Sequence, residues 1–344
     1  MLDDFKKLAQ NILDQYYQVL AADIKKNGFC TEFLGESKKF ESTRLLCQTR
    51  CMYFLLEYAL LKPSSNAFEH ALTLYKLIKD KYQSSEGIWL QYPGKENLEN
   101  LYEYAFLIFS ISKLYQQDPQ PEYQEDLVAL HSVIQIKYFF PETNFSNLKD
   151  NDGLVSQNAL MHVYEAYLEL CIALPETAYQ ETLKALLKAT ENMFFDKSKK
   201  LISEYSPYHT NPTYEPGHSF EWCCLMVETN RAKVLEGTPL LPAKEIAITA
   251  EQNGVTKDNV VLQSISNLQD KERFRIWPMF ERLRFYGLTN NLEKIEHVFP
   301  TFNQYFIDKN QLPIEWIDSQ LKPDFKGVKT TTSYHIINCL KNLV

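Results

Sequence analysis

Tyr214-Glu-Pro-Gly-His-Ser-Phe-Glu-Trp222 reads as the end of a loop followed by the start of a helix. Pro216-Gly217 closes the loop and places His218 in the first helical turn. His218 and Glu221 are three apart and so share a face, where the carboxylate can orient the imidazole or bind a substrate hydroxyl. The positive end of the helix is expected to lower the His218 pKa and favour a neutral imidazole that can serve as a base. Working outward, the same kind of residue recurs near the start of every second helical segment: Arg50, Tyr102, His162, His218, Trp277 and His335. Successive spacings are 52, 60, 56, 59 and 58 residues. One sixth of the chain is about 57 residues, so a single supersecondary unit is repeated six times.

Helical periodicity covers 2–26, 41–62, 65–83, 97–117, 121–137, 156–174, 177–194, 216–236, 239–253, 271–287, 290–308 and 329–343. Breakers separate these segments, among them Lys62-Pro63, Asp118-Pro119, Leu174-Pro175, Thr238-Pro239 and Lys322-Pro323. Long loops (84–96, 138–155, 195–215, 254–270, 309–328) precede even-numbered helices, and short breaks follow them. Short breaks make antiparallel neighbours, and long loops collect at a functional end. The expected fold class is therefore all-α, an (α/α)6 barrel of twelve helices in six pairs, with 1–344 as a single catalytic domain. An open solenoid is the alternative that periodicity alone leaves standing. Gly87–Tyr92 and Leu201–Tyr205 read as hairpins or extended loops.

Composition excludes several classes. Of 344 residues, 45% are hydrophobic, with 21 Phe and 21 Tyr but only 10 Gly, which argues against a Rossmann-like sheet protein. A net charge of −8 without a basic run argues against nucleic-acid binding. No run of about 18 apolar residues predicts a membrane span, and the first residues lack a signal-peptide core, so a cytoplasmic location is expected. The seven cysteines match no zinc spacing and read as buried free thiols.

Four further motifs carry chemistry. Asn158, His162 and Glu165 fall at i, i+4 and i+7 of one helix, a polar stripe on an apolar background. Trp277 and Glu281 are four apart in Ile276-Trp-Pro-Met-Phe-Glu-Arg282, an aromatic plate beside a carboxylate suited to sugar CH groups and hydroxyls. His335 opens the last helix, and Arg50 can stabilise an oxyanion. Tyr102 and Glu103 occupy the corresponding place in the helix near 100. Two His-x-x-Glu pairs resemble part of a di-metal bundle site, but the order is reversed and further bridging carboxylates are not evident, so no metal is expected. No phosphate loop and no Ser or Cys nucleophile motif is present.

Together, Arg44 to Arg50, Leu101-Tyr-Glu-Tyr-Ala-Phe106, Asn158 with Met161-His-Val-Tyr-Glu-Ala166, Pro216-Gly-His-Ser-Phe-Glu-Trp222, Trp277-Pro-Met-Phe-Glu281 and Tyr334-His335 resemble the N-acylglucosamine 2-epimerase superfamily. Where members of that group often end in Tyr-His-x-Pro-Arg, this chain reads Tyr334-His-Ile-Ile-Asn338. The resemblance implies the six-pair helical barrel, reversible isomerisation of an unphosphorylated sugar, and no cofactor. It implies His218 and His335 as the acid/base pair, and Arg50, Asn158, His162, Glu221, Trp277 and Glu281 as sugar-binding, with Tyr102, Glu165 and Trp222 added from the same motifs. Met161-His-x-x-Glu165 resembles the mannose isomerase and cellobiose epimerase branches, and the short chain suits a monosaccharide. D-mannose to D-fructose isomerisation is thus the leading expectation, with a 2-epimerase, an isomerase of an anionic sugar held by Arg273, Arg275, Arg282 and Arg284, or a non-enzymatic interaction module as alternatives. The expected partner is a small-molecule sugar, in a monomer or homodimer.

Overall fold

The computed structural model describes residues 2–34, 40–138, 153–206, 212–265, 273–324 and 327–344. Twelve α-helices occur among these residues: α1 Leu2–Asn27, α2 Leu45–Leu61, α3 Ala67–Lys81, α4 Leu101–Gln117, α5 Pro121–Lys137, α6 Gln157–Ala173, α7 Thr177–Met193, α8 Pro216–Ala232, α9 Ala243–Gly254, α10 Ile276–Leu288, α11 Leu292–Phe306 and α12 Ser333–Leu340. Eight short strands lie between them: β1 Leu90–Tyr92, β2 Lys95–Asn97, β3 Val155–Ser156, β4 Phe195–Asp196, β5 Leu201–Ile202, β6 Tyr205–Ser206, β7 Arg273–Arg275 and β8 Trp316–Asp318. They pair antiparallel as β1–β2, β3–β6, β4–β5 and β7–β8. All twelve sequence segments contain a helix. Of the long loops expected before even helices, 138–155 lies mostly outside the described residues.

Helix starts shift where local chemistry dictates. The segment 239–253 becomes a helix only at Ala243, because Pro242 drives Leu241 out of the helical region. The segment 97–117 starts at Leu101, where Asn100 accepts the Tyr102 N–H at 3.0 Å as an N-cap. The last helix begins at Ser333, after a 3-10 turn over Thr330–Thr332.

The chain divides into two compact units. One comprises Met1–Glu99, Asp258–Val260 and Glu272–Val344, and the other Asn100–Lys257 and Val261–Lys271. Each holds three helix pairs. In the second, α4 packs on α6 and α6 on α8, while α5, α7 and α9 lie against α4, α6 and α8 respectively. In the first, α10 packs on α12 and α12 on α2, with α11 and α3 against α10 and α2. The even helices are buried nearly all round: every residue of α10 and of α12 is buried. The odd helices bury one stripe, as Ala67, Ala71, Leu74, Tyr75 and Ile78 of α3 do. Even helices therefore form the interior row of each unit, and a polar residue in their first turns sits in a hydrophobic surround.

Candidate active site

The second unit holds His218 on the first turn of α8, after an N1 proline. Its Nδ1 lies 2.9 Å from Glu204 Oε2 and 3.5 Å from Glu215 Oε2. The sequence offered Glu221 either to orient this imidazole or to bind a substrate hydroxyl; Glu204 takes the Nδ1 contact, and Glu221 Oε1 lies 4.0 Å from the His162 Nε2. Burial opposes the charged imidazole, but Glu204, Glu215 and Glu221 outweigh it and raise the His218 pKa to about 10. The neutral imidazole expected from the helix terminus is therefore replaced by an imidazolium at neutral pH, because full charges at close range exceed the half-charge of a helix end.

On α6, His162 turns Nδ1 toward Glu165 Oε2 at 3.3 Å. The Tyr102 ring meets the His162 ring edge-on at 4.8 Å. Tyr102, His162, Glu165 and Glu221 are thus brought together. Asn158, one turn earlier on α6, is half-buried, and its Oδ1 has no hydrogen-bond partner among the described residues. Trp222 differs from expectation. It is fully buried, packs against Tyr164 at 5.4 Å, and donates its Nε1–H to Gln157 Oε1 at 2.7 Å.

The first unit holds His335, whose Nδ1 lies 2.6 Å from Glu281 Oε1. The other Glu281 oxygen accepts from Arg284 Nη1 at 3.1 Å. Glu281, expected to bind sugar hydroxyls, is fully buried and orients His335 instead. The Trp277 ring lies 5.4 Å from the His335 ring at 34°, forming an aromatic wall. Arg50 on α2 donates Nη1 to the Thr331 carbonyl at 2.8 Å and places its guanidinium 5.1 Å from the Tyr334 ring centre. Arg50, Trp277, Glu281 and His335 are thus brought together.

Three residues escaped the sequence reading: Glu204, Gln157 and Glu315. Glu315 is buried, accepts from Thr332 Oγ1 at 2.6 Å and from Arg275 Nη2 at 3.0 Å, and so ties the β7–β8 hairpin to the turn that leads into α12. The one available signal was an acidic residue within a short β-like run, as in Leu201-Ile-Ser-Glu-Tyr205. The four arginines around Trp277 do not form a free basic face. Arg282 and Arg284 are buried and bonded to Asn259 and Glu281, while Arg273 and Arg275 pair with Asp324 and Glu315.

The cysteines are free and buried, as the sequence predicts. Among the described residues, no helix is long and apolar enough to cross a membrane.

Comparison with known proteins places this geometry. The chain superposes on a cellobiose 2-epimerase from Bacillus thermoamylovorans with TM-score 0.84 and 14% identity, covering 98% of this chain and 99% of that one. A D-mannose isomerase matches with TM-score 0.79 and 16% identity over 99% and 97% of the two chains. A sugar epimerase from a ruminal bacterium matches with TM-score 0.78 and 15% identity over 97% and 98%. No curated protein matches in sequence. The likeness to these solved structures gives the fold as the all-α (α/α)6 barrel of twelve helices in six pairs. The sequence model of the N-acylglucosamine 2-epimerase (GlcNAc 2-epimerase) family matches residues 28–339. The chain therefore belongs to the N-acylglucosamine 2-epimerase family, within the superfamily of sugar epimerases and isomerases.

Proposed function

We propose that the whole chain acts as one catalytic domain that interconverts D-mannose and D-fructose by histidine-mediated proton transfer through a cis-enediolate, without metal or cofactor. The observation that carries the reading is the pair of imidazoles, His218 and His335, each bonded through Nδ1 to a buried carboxylate. The C1 carbonyl of an open-chain aldose acidifies the proton on C2. His335, held through Nδ1 by Glu281, removes it. His218, held as an imidazolium, protonates O1 as charge develops; it then takes the O2 proton back while His335 delivers its proton to C1, which leaves the C2 ketone and returns both histidines to their starting states. Arg50 stabilises the O1/O2 negative charge. Asn158, Tyr102 and the His162–Glu165–Glu221 group bind hydroxyls, and Trp277 stacks on the sugar's CH face.

Mannose is favoured over an anionic sugar because the basic residues near Trp277 are already balanced by Asp324, Glu315 and Glu281. The presence of two carboxylate-bound histidines also supports a second reading, a 2-epimerase in which His218 returns the proton to the opposite face of C2. Mannose incubated with the enzyme in D2O and followed by NMR separates them. Fructose appearing first, with any deuterium it gains at C1, is the expected result. Accumulation of C2-labelled glucose ahead of fructose overturns the isomerase in favour of the epimerase.

A further inference from the structure

We propose that Trp222, Gln157 and Glu204 form a hydrogen-bonded relay that holds the His218 proton on Nδ1 and presents Nε2 as the working nitrogen. Glu204 is then a positioning residue, and Trp222 its remote anchor rather than a sugar contact. The inference rests on the reading of His218 as a proton-transfer group.

The direction of every bond in the relay follows from its far end. An indole N–H only donates, so the Gln157 atom 2.7 Å from Trp222 Nε1 is the amide oxygen. That orientation turns Gln157 Nε2 toward Glu204 Oε2, at 3.1 Å. An amide NH2 also only donates, so Glu204 is the acceptor there. The Glu215 backbone N–H approaches Glu204 Oε1 at 3.3 Å, again as a donor. Glu204 thus accepts from two neighbours, and the bond to His218 at 2.9 Å is supplied by the imidazole Nδ1–H.

The fold builds this arrangement from three places in the sequence. Antiparallel pairing of β3 with β6, Ser156 opposite Tyr205, puts the start of α6 beside residue 204. The Gln157 backbone N–H donates to the Glu204 carbonyl at 3.0 Å, and the Glu204 N–H to the Thr213 carbonyl at 2.9 Å, which fixes that backbone. His218 and Trp222, four apart on α8, reach the same spot from one helix face. All four side chains are buried. The charged groups around His218 are Glu204, Glu215 and Glu221, with the His162–Glu165 pair of α6 beyond Glu221. Burial works against the imidazolium, yet these carboxylates raise its pKa to about 10.

The test uses the full chain and the variants Glu204→Gln and Trp222→Phe. Ring-nitrogen NMR of His218 needs no sugar, so it decides the relay even if no sugar is turned over and the proposed function fails. In the wild type, Nδ1 carries the proton and Nε2 titrates in the alkaline range. In Glu204→Gln the midpoint falls by about one unit or more, because one of the closest carboxylates is gone. With mannose, Glu204→Gln lowers kcat by about 10- to 100-fold with KM little changed, and its alkaline limb moves to lower pH with His218. Trp222→Phe keeps an aromatic side chain, removes the donor and leaves a smaller ring in a buried site. It moves His218 and kcat in the same direction by a smaller amount, and provides the readout if Glu204→Gln does not fold. An unmoved His218 titration in the folded variants overturns the relay. A Trp222→Phe variant that raises KM and leaves the pH profile alone makes Trp222 a sugar contact and also overturns it.

Discussion

His335 and His218 both turn Nδ1 to a buried glutamate, but the two glutamates are balanced differently. Glu281, beside His335, is bonded to the buried guanidinium of Arg284, three residues along the same helix. Glu204, beside His218, accepts besides the imidazole from two uncharged donors, the Gln157 amide and a backbone N–H, and Glu215 and Glu221 add negative charge. One imidazole thus has a carboxylate that also binds a guanidinium, and the other faces three carboxylates. The same side chain thus meets two electrostatic surroundings set by its neighbours rather than by its place on a helix, since both occupy first turns of even helices.

The largest expected effects come from removing either imidazole. His218→Asn and His335→Asn should each lower kcat by about 100-fold or more with the fold retained, the usual contribution of a positioned proton transfer. His297, exposed on α11, is the control, and His297→Asn should change kcat little. Wild-type turnover in His218→Asn would break the comparison at its centre.

Next is Arg284→Met, which leaves Glu281 buried beside His335 without its cation. Breaking a buried pair from one side costs about 3–5 kcal/mol, read as a fall in Tm or in the denaturant midpoint. The same change should make the His335 surroundings resemble those of His218. The acid limb of the kcat/KM profile should then move to higher pH, because an unbalanced Glu281 favours the protonated imidazole. A variant with unchanged stability and profile would show that Arg284 does not balance Glu281.

His218 itself links stability to pH. Its folded-state pKa of about 10 lies above the ordinary value of 6.5. The stabilisation is therefore fully present below pH 6.5 and is lost as pH rises toward about 10. Between those limits, unfolding free energy should fall with pH by less in His218→Asn than in the wild type.

A smaller effect is expected at Gly254, the last residue of α9. A Cβ there would lie 2.4 Å from Pro216 Cγ, at the residue that opens α8. Gly254→Ala must push the first turn of α8 aside, at a cost of about 1–3 kcal/mol. It should lower kcat through the displaced His218, while Gly287→Ala, which meets the flexible end of Leu343, should affect stability alone.

Helices and site were legible to different depths. Periodicity located all twelve helices, and His162 and Glu165, three apart on α6, do meet, with Tyr102 against the His162 ring. Such groupings lie within one helix, where three or four residues apart means one face. Glu204 and His218 are 14 residues apart across a loop, and Glu315 and Thr332 are 17 apart, so no helical phase connects them. Glu221, for which the sequence left open orienting His218 or binding a hydroxyl, shows the same limit. A shared face permits contact, but the loop carboxylate Glu204 approaches His218 more closely. Burial also overrides residue type, which is why Trp222 and Glu281, chemically suited to sugar, are enclosed.

The smallest expected effect is that of chelation. Two clusters in the second unit, His162–Glu165–Glu221 and Glu204–Glu215–His218, each place three ligand-capable atoms within 4.8 Å of one another, so the question has substance. The two differ in readiness. A divalent ion needs an imidazole lone pair, and His218 is protonated on both nitrogens below its pKa of about 10, while Glu204 already accepts from Gln157 and Glu215. A metal bound there would have to displace a proton and disrupt the relay. His162 is the better placed of the two, but two carboxylates and one imidazole lack the octahedral oxygen set that Mg2+ or Mn2+ prefers. Overnight treatment with EDTA should leave kcat and KM unchanged and should not move the His218 titration. Loss of activity restored by Mn2+ or Zn2+ would overturn the metal-free reaction. If His162→Ala then abolished that restoration while His218→Asn did not, the metal would belong to the α6 cluster, and the contrast between the two histidines would need a third partner.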